Sequence, residues 1–402
     1  MSEAETPGQS HALQKILHPV TVDDFFNDFH EKEFFHVSRN YSEYYNEILS
    51  VDELDEYLCR SDLPADIFKI AAKGKTLPLQ AYSVESRNSQ TPLADTGKCF
   101  SLFEDGASFV LQKCHMTFPN IKSLCKDLAA YFRFFVQANI YITPPSAQGF
   151  NVHPDFYDVF ILQVSGSKVW KIHDYPVKLP QMSNIGKDFT PGPLIKEIEL
   201  QAGDMLYLPR GVLHAAKTTD SYSTHITIGL SGMLRWVDFF KMAMEDLGEI
   251  KSFREGVPTW SEGHFRSRVE SKVDELRQFI SQKSDWGKYY DQFLNRYKHY
   301  AKESSHSIRR GYFKVLTESK NHDSSVLFKN MHTSNSSVVN TDGYIELNID
   351  DKTLKLPSLL DEPLQFVLAN DSFYASDLPG SIDNDTKLFL CQQLMKNGLL
   401  TT

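Results

Sequence analysis

The sequence predicts an α+β protein in which a β-sandwich or β-barrel lies between helical segments. Between about residues 136 and 230, short runs of β-branched and aromatic residues alternate with Gly, Pro and Asp, a texture typical of such all-β structures. On either side, apolar residues recur every three or four positions, which indicates amphipathic helices. A chain of 402 residues has room for about two to three domains.

Composition favours a soluble globular protein. Hydrophobic residues make up 41% and charged residues 23% of the chain, and the net charge of −10 gives no sign of general nucleic-acid binding. No apolar run reaches the ~18 residues of a membrane span, and the first residues do not resemble a secretory signal. The 5 cysteines include no CxxC pair, so we expect free thiols in a reducing compartment: the cytoplasm, or the nucleus or nucleolus of a eukaryote.

The N-terminal third of the chain has a mixed pattern, in which helical stretches are separated by segments without a clear period. Residues 1–12 are expected to form a disordered leader. Helices are predicted over residues 22–30, 51–59 and 120–135, and the second of them opens with acidic residues, which helix N-termini favour.

After the strand-rich region the pattern returns to helices. Apolar spacing predicts one helix over residues 234–248 and two or more over residues 262–303. Residues 304–340 are expected to form a partly ordered linker. The last segment is predicted to contain a strand at 344–349, a turn at Asp350 and Asp351, a helix over 359–369 and a final helix that ends near Gly398, in a small domain of winged-helix character.

The strongest local signal is a His-x-Asp triplet, His153 and Asp155, at the start of a strand-like run. Residues two apart on a strand point to the same side, so these side chains can share one ion. His214, which follows a Pro-Arg-Gly turn, is the candidate third ligand. Two histidines and one carboxylate form the facial triad of non-haem Fe(II) oxygenases. The alternative is coincidence, because a chain with 14 histidines can contain such a triplet by chance.

The sequence segments around these candidate ligands indicate which kind of metal protein this is. HPDFYDVFILQ, VSGSKVWKI and GDMLYLPRGVLH together resemble the JmjC-type, cupin-fold 2-oxoglutarate oxygenases, and most of all the ribosomal oxygenases, which hydroxylate side chains of ribosomal proteins. The resemblance implies a double-stranded β-helix (a cupin or JmjC jelly roll) in a catalytic domain over residues 13–232. It further implies a helical dimerisation region over 233–310, then a linker and winged-helix domain over 311–402.

The resemblance also assigns site residues. His153, Asp155 and His214 would bind the iron, and Lys168 would pair with the distal carboxylate of 2-oxoglutarate through a charge-assisted hydrogen bond. Four further residues would line the co-substrate pocket: Asn139, Tyr141, His225 and Thr227. Two alternatives remain open at this point, a lysine in a hairpin turn for Lys168 and a hydrogen-bonded core histidine for His225.

The resemblance therefore implies an Fe(II)- and 2-oxoglutarate-dependent hydroxylase of a protein or peptide side chain, with Arg or His of a ribosomal protein as the expected target. A JmjC histone demethylase, a tailoring hydroxylase of a peptide natural product and a non-enzymatic cupin scaffold are the alternatives. Phe156 stands where better-known members of the family have a polar residue, which leaves substrate identity open.

We expect a homodimer that does not bind membranes. We expect no DNA binding either, because residues 340–402 contain ten acidic and four basic residues.

Overall fold

The computed structural model describes residues 10–60, 62–72, 74–85, 90–174, 177–181, 190–283, 285–304, 325–330, 336–341, 343–349 and 352–401. Contacts within the chain define two compact units: Met1–Ser231 together with Ser307–Thr402, and Gly232–His306. In these described ranges, no helix combines the length and the apolar character needed to cross a bilayer.

Short helices and strands precede the central barrel. In chain order they are α1 (His11–Leu17), α2 (Val22–Asp24), β1 (Phe35–Val37), α3 (Val51–Leu58), β2 (Phe68–Ala72), β3 (Lys75–Thr76), β4 (Ser83–Val84), β5 (Leu93–Ala94), α4 (Thr96–Glu104), β6 (Ser108–Leu111), α5 (Cys114–Thr117) and α6 (Pro119–Phe132). The Ser50 hydroxyl caps α3 by accepting from the N–H of Glu53, and Pro119 occupies the first turn of α6. The helices predicted over 51–59 and 120–135 are present, whereas the one predicted over 22–30 is α2 continued by a π-helical turn, Phe25–Phe29.

Helix α1 begins inside the predicted leader. Residues 1–9 lie outside the described residues, but the Ser10 hydroxyl accepts from the N–H of Leu13 at 3.0 Å and so caps the helix. Ala12 is buried, and its N–H donates to the Asp127 carboxylate of α6 at 3.0 Å. The prediction of disorder is therefore wrong for residues 10–12, because the apolar face of α1 packs against the rest of the unit.

The strand-rich region forms the predicted barrel. Its strands are β7 (Val136–Thr143), β8 (His153–Pro154), β9 (Asp158–His173), β10 (Leu194–Gln201), β11 (Met205–Leu208) and β12 (Leu213–Leu230). They belong to one antiparallel sheet of order β1-β11-β9-β12-β7-β6-β2-β3, in which β10 also pairs with β9 and β8 with β12.

The long strands β9 and β12 make two layers out of this sheet. The first part of β9 pairs with the end of β12 and with β11, whereas its second part pairs with the start of β12 and with β10. The register shifts at the change between the two parts, where Gly166 has a φ of +65° and an added Cβ would lie 1.8 Å from the Tyr222 carbonyl oxygen. The layers face each other, because Lys168 in the second part of β9 hydrogen-bonds to Thr143 on β7 at 2.9 Å.

Residues 232–306 form the second unit, which contains α7 (Trp236–Glu245), α8 (Glu262–Gln282) and α9 (Gly287–Ser304). Its small core is built around Met242, Ala243 and Tyr289. Helix α8 buries no residue, and its stripe of Val269, Val273 and Ile280 is exposed.

The C-terminal residues of the first unit have a core of their own. Their elements are β13 (Leu327–Asn330), β14 (Ser337–Thr341), β15 (Tyr344–Ile349), β16 (Lys352–Pro357), α10 (Asp361–Ala369), β17 (Ser372–Tyr374), α11 (Asn384–Lys396) and β18 (Leu400–Thr401). Strand β13 and most of β14 lie within the segment 304–340, which was predicted to be a partly ordered linker, and they are its ordered parts among the described residues. Residues 305–324 and the turn predicted at Asp350 and Asp351 lie outside the described residues.

Candidate metal centre

A cavity of about 330 Å³ opens between the two layers of the barrel. All the site residues predicted from the sequence line it: Asn139, Tyr141, His153, Asp155, Lys168, His214, His225 and Thr227. Residues far apart in the sequence thus meet because β7, β9 and β12 each turn a polar face towards the same space.

Strand pairing brings the three predicted metal ligands together. His153 on β8 is the register partner of His214 on β12, and their ring centroids lie 4.6 Å apart. Asp155 follows β8 directly, and its Oδ2 is 3.8 Å from Nε2 of His214.

Hydrogen bonds to the backbone fix the tautomer of both histidines. Nδ1 of His153 lies 2.8 Å from the Asn151 carbonyl oxygen, and Nδ1 of His214 lies 3.0 Å from the Val212 carbonyl oxygen. A carbonyl oxygen only accepts, so each Nδ1 carries the proton and each Nε2 keeps a lone pair. This is the arrangement in which imidazole binds a metal, with the other ring nitrogen held by an outer partner.

Burial keeps His214 neutral. Burial, and after it the neighbouring His153 ring, lowers the pKa of His214 to about 4, although the Asp155 carboxylate acts in the opposite direction. A neutral imidazole is the form that coordinates a metal, so burial prepares His214 for this role.

The donor set suits a divalent transition metal. Two atoms bound to one ion at about 2.1 Å are at most about 4.2 Å apart, so the 3.8 Å between Nε2 of His214 and Oδ2 of Asp155 leaves room for a shared ion. In the part of the chain that the structure describes, no three His, Cys, Asp or Glu side chains already converge in ion-binding geometry. Adjustment of the His153 ring beside His214 would complete a set of two imidazoles and one carboxylate, which favours Fe(II).

A buried network holds the turn that carries His214. The Gly211 N–H donates to the Asp155 carbonyl oxygen at 2.8 Å, which ties this turn to the Asp155 segment. The Arg210 N–H donates to Oδ1 of Asp158 at 3.1 Å, and the Tyr207 hydroxyl donates to the other carboxylate oxygen. Burial raises the pKa of Asp158, while these hydrogen bonds and the Arg210 charge favour its ionised form.

Lys168 is buried in the cavity wall. Its ammonium donates to the Thr143 hydroxyl at 2.9 Å, and the Ser108 hydroxyl donates to the same oxygen at 3.1 Å. Burial lowers the pKa of Lys168 to about 7, and no carboxylate among the described residues forms an ion pair with it. The hairpin-turn alternative is wrong, because an ammonium in this position faces the cavity and lacks a counter-ion.

The remaining predicted residues form the wall beside Lys168. Tyr141 and His225 are register partners whose rings stack with centroids 4.8 Å apart, and Asn139 and Thr227 are partners two positions along. Burial raises the pKa of Tyr141 and holds that of His225 well below its usual value. Both side chains are therefore neutral hydrogen-bonding groups at neutral pH.

The lining residues that the sequence interpretation missed include two on the strands it had identified, Thr143 and Trp170. Thr143 continues the alternation of Asn139 and Tyr141 along β7, and Trp170 lies two residues after Lys168 on β9, so the period of two along each strand is the signal that points to them. Among the described residues, Nε1 of Trp170 and Nδ1 of His225 are buried without a hydrogen-bond partner. Two orphaned polar atoms in a cavity wall indicate that a polar ligand binds there.

The barrel and its cavity define a cupin-type protein with a candidate metal centre. Residues 112–234 match the JmjC domain family, so the chain contains a JmjC domain, and the family resemblance and the cupin-type fold predicted from the sequence are confirmed.

Curated relatives agree with this assignment. The chain is 31% identical over 238 residues to the "Bifunctional lysine-specific demethylase and histidyl-hydroxylase NO66" of Drosophila yakuba, which covers 58% of this chain and 34% of the relative. For the Drosophila melanogaster protein of the same name the identity is 34%, over 54% of this chain and 33% of the relative. The chain thus spans about a third of the length of these relatives.

Solved structures include the ribosomal oxygenase YcfD of Escherichia coli. It aligns with 95% of this chain and 98% of its own, at 14% identity and a TM-score of 0.45. This likeness is too low to support a functional conclusion.

Proposed function

We propose that this chain is an Fe(II)- and 2-oxoglutarate-dependent hydroxylase that acts on a side chain of a protein or peptide. One cavity contains all the groups that this chemistry needs, and this observation carries the proposal. These groups are two imidazoles whose Nε2 atoms keep a lone pair, one carboxylate, and a buried ammonium that has no counter-ion among the described residues. The test is to supply the purified chain with Fe(II), 2-oxoglutarate and cell extract, and to identify by mass spectrometry the peptide that gains one oxygen atom. Absence of both succinate formation and any oxygenated peptide would contradict the proposal.

His153, Asp155 and His214 would hold the metal, and Lys168 would bind the distal carboxylate of 2-oxoglutarate. The bound Fe(II) would supply the oxidation chemistry that couples decarboxylation of 2-oxoglutarate to hydroxylation of a C–H bond. Thr143 holds the Lys168 ammonium in place through the 2.9 Å hydrogen bond from Nζ to its hydroxyl. The layers of the barrel limit the access of water to this chemistry.

The substrate class follows from the relatives. The name of these relatives describes both lysine demethylation and histidyl hydroxylation, and each of these reactions acts on a protein side chain. We propose a protein substrate, with Arg or His of a ribosomal protein as the target class for hydroxylation.

Asp158 provides a test of how the ligand segments are positioned. Asp158→Asn should weaken Mn(II) binding about tenfold to a hundredfold, because the turn that carries His214 loses the carboxylate that accepts from Arg210 and Tyr207. Titration calorimetry with Mn(II) is the measurement.

Asp204→Asn is the matched control for Asp158→Asn. Asp204 is equally buried and accepts from the N–H groups of Arg39 and Gln201, away from the ligands. The Asp204→Asn variant should be less stable than the wild-type chain but should bind Mn(II) with the same affinity. Equal Mn(II) affinities in the two variants would show that the Asp158 network does not position the ligands.

We propose that the helical unit dimerises through α8. The stripe of Val269, Val273 and Ile280 is apolar surface that stays exposed in the described part of this unit. The chain should sediment as a dimer at micromolar concentration, and Val269→Glu with Val273→Glu should yield a monomer. Gln278→Glu, on another face of the helix, should leave the dimer intact; a monomeric wild-type chain would contradict the proposal.

We propose that the C-terminal residues form a winged-helix-like domain that does not bind DNA. In its candidate recognition helix, α11, the only basic residues are Lys387 and Lys396. The segment from 340 to 402 is acidic overall, which repels phosphate. A mobility-shift titration of the full chain with duplex DNA at low salt should detect no complex; submicromolar, salt-sensitive binding would contradict this prediction.

A further inference from the structure

Four side chains of Lys, Arg, Asp or Glu type line the described part of the cavity: Lys69, Lys113, Asp155 and Lys168. The proposed metal and co-substrate use Asp155 and Lys168. Lys69 and Lys113 have no part in that chemistry, and neither forms an ion pair with a described residue.

Both of these lysines lie at the mouth of the cavity. Lys69 on β2 is the register partner of Val110, which in turn is the partner of Tyr141, so Lys69 lies on the Tyr141 face of the sheet. Lys113 follows β6, and its backbone N–H donates to the side-chain Oδ1 of Asn139 at 3.0 Å. Each lysine lines the cavity and is also exposed, which places both ammonium groups where solvent meets the cavity.

The charges inside the loaded site cancel. A divalent metal and the Lys168 ammonium balance the Asp155 carboxylate and the two carboxylates of 2-oxoglutarate. The charge that an arriving substrate meets is therefore that of Lys69 and Lys113, with no carboxylate other than Asp155 among the described lining residues to offset it.

We propose that Lys69 and Lys113 form a cationic mouth that recognises an acidic side chain next to the modified residue. The same two charges disfavour a cationic target, methyl-lysine or Arg, and so favour His of the two target residues proposed above, because like charges brought together at an interface reduce affinity. The stacked His225 ring covers one face of Tyr141, which reduces the aromatic surface that could attract such a cation. This inference rests on the proposed function and specifies its substrate.

The test uses fluorescein-labelled decapeptides that share a central histidine and differ only in flanking Asp, Ser or Lys, together with a Lys-flanked peptide that carries a central dimethyl-lysine. Their binding to the Mn(II)- and 2-oxoglutarate-loaded chain is measured by fluorescence anisotropy at low salt, where surface charges are least screened. The Asp-flanked peptide should bind tightest, by about three- to fivefold per lysine relative to the Ser-flanked peptide.

Charge reversal identifies the residues responsible. Lys69→Glu with Lys113→Glu should invert the order of the peptides. Lys196→Glu, a change at an exposed β10 lysine outside the cavity lining, should preserve it. A melting curve confirms that the double variant is folded.

Three outcomes would overturn the inference: equal binding of all peptides, binding of none, or preference of the wild-type chain for the Lys-flanked or dimethyl-lysine peptide. Binding of Mn(II) and 2-oxoglutarate is measured separately. If Mn(II) and 2-oxoglutarate bind but the peptides do not bind in the expected order, the inference about Lys69 and Lys113 fails and the proposed function stands. If neither Mn(II) nor 2-oxoglutarate binds, the proposed function itself fails.

Discussion

His153→Ala or Asp155→Ala is expected to abolish 2-oxoglutarate turnover in the purified chain. Each change removes one of three donors, and the two side chains that remain, His214 with either Asp155 or His153, cannot hold the ion with comparable affinity. The measurement is succinate formation in the presence of Fe(II) and 2-oxoglutarate without added substrate, with Mn(II) stoichiometry determined in parallel.

His173→Ala is the control for these substitutions. His173 ends the same strand as Lys168 but lies outside the cavity lining, where its Nδ1 contacts the Gly192 carbonyl oxygen at 3.1 Å. This variant should keep both the metal and the turnover. Unchanged succinate formation in His153→Ala and Asp155→Ala would remove the metal-centre assignment.

The convergence of the three candidate ligand residues could be predicted because local rules place them. His153 and Asp155 share a side by the two-residue period of extended chain, and a Pro-Arg-Gly turn sets the direction in which His214 enters its strand. The same two-residue period extends from Asn139 and Tyr141 to Thr143. The period therefore also predicts that Thr143 lines the cavity.

Other features depend on contacts that sequence patterns do not encode. Asp158 is buried because Tyr207 and the Arg210 N–H, both distant in sequence, bind its carboxylate. Residues 10–12 look polar and N-terminal in the sequence, but Ser10 caps a helix whose apolar side is buried. In each case a long-range partner determines the burial of a segment whose local pattern is uninformative.

Stability and function are expected to oppose each other at Lys168. Lys168→Met should raise the 2-oxoglutarate concentration needed for half-maximal turnover about tenfold to a hundredfold, since a charge-assisted hydrogen bond contributes roughly 1.5–3 kcal/mol. The melting temperature of the chain without co-substrate should stay the same or rise, because the variant no longer buries an ammonium without a counter-ion. A lysine kept for structural reasons would give the opposite result, a lower melting temperature with an unaltered co-substrate titration.

The pH dependence of 2-oxoglutarate binding separates these roles further. Burial lowers the pKa of Lys168 to about 7, so the empty site loses its positive charge as the pH rises above that value. The 2-oxoglutarate carboxylates stay ionised over this range, so binding must take up a proton and affinity should fall with rising pH in the wild-type chain. Lys168→Met should bind weakly at every pH and lack this slope in calorimetric titrations of the Mn(II)-loaded protein. A wild-type affinity that is constant from about pH 7 to 9 would mean that the buried ammonium does not face the co-substrate.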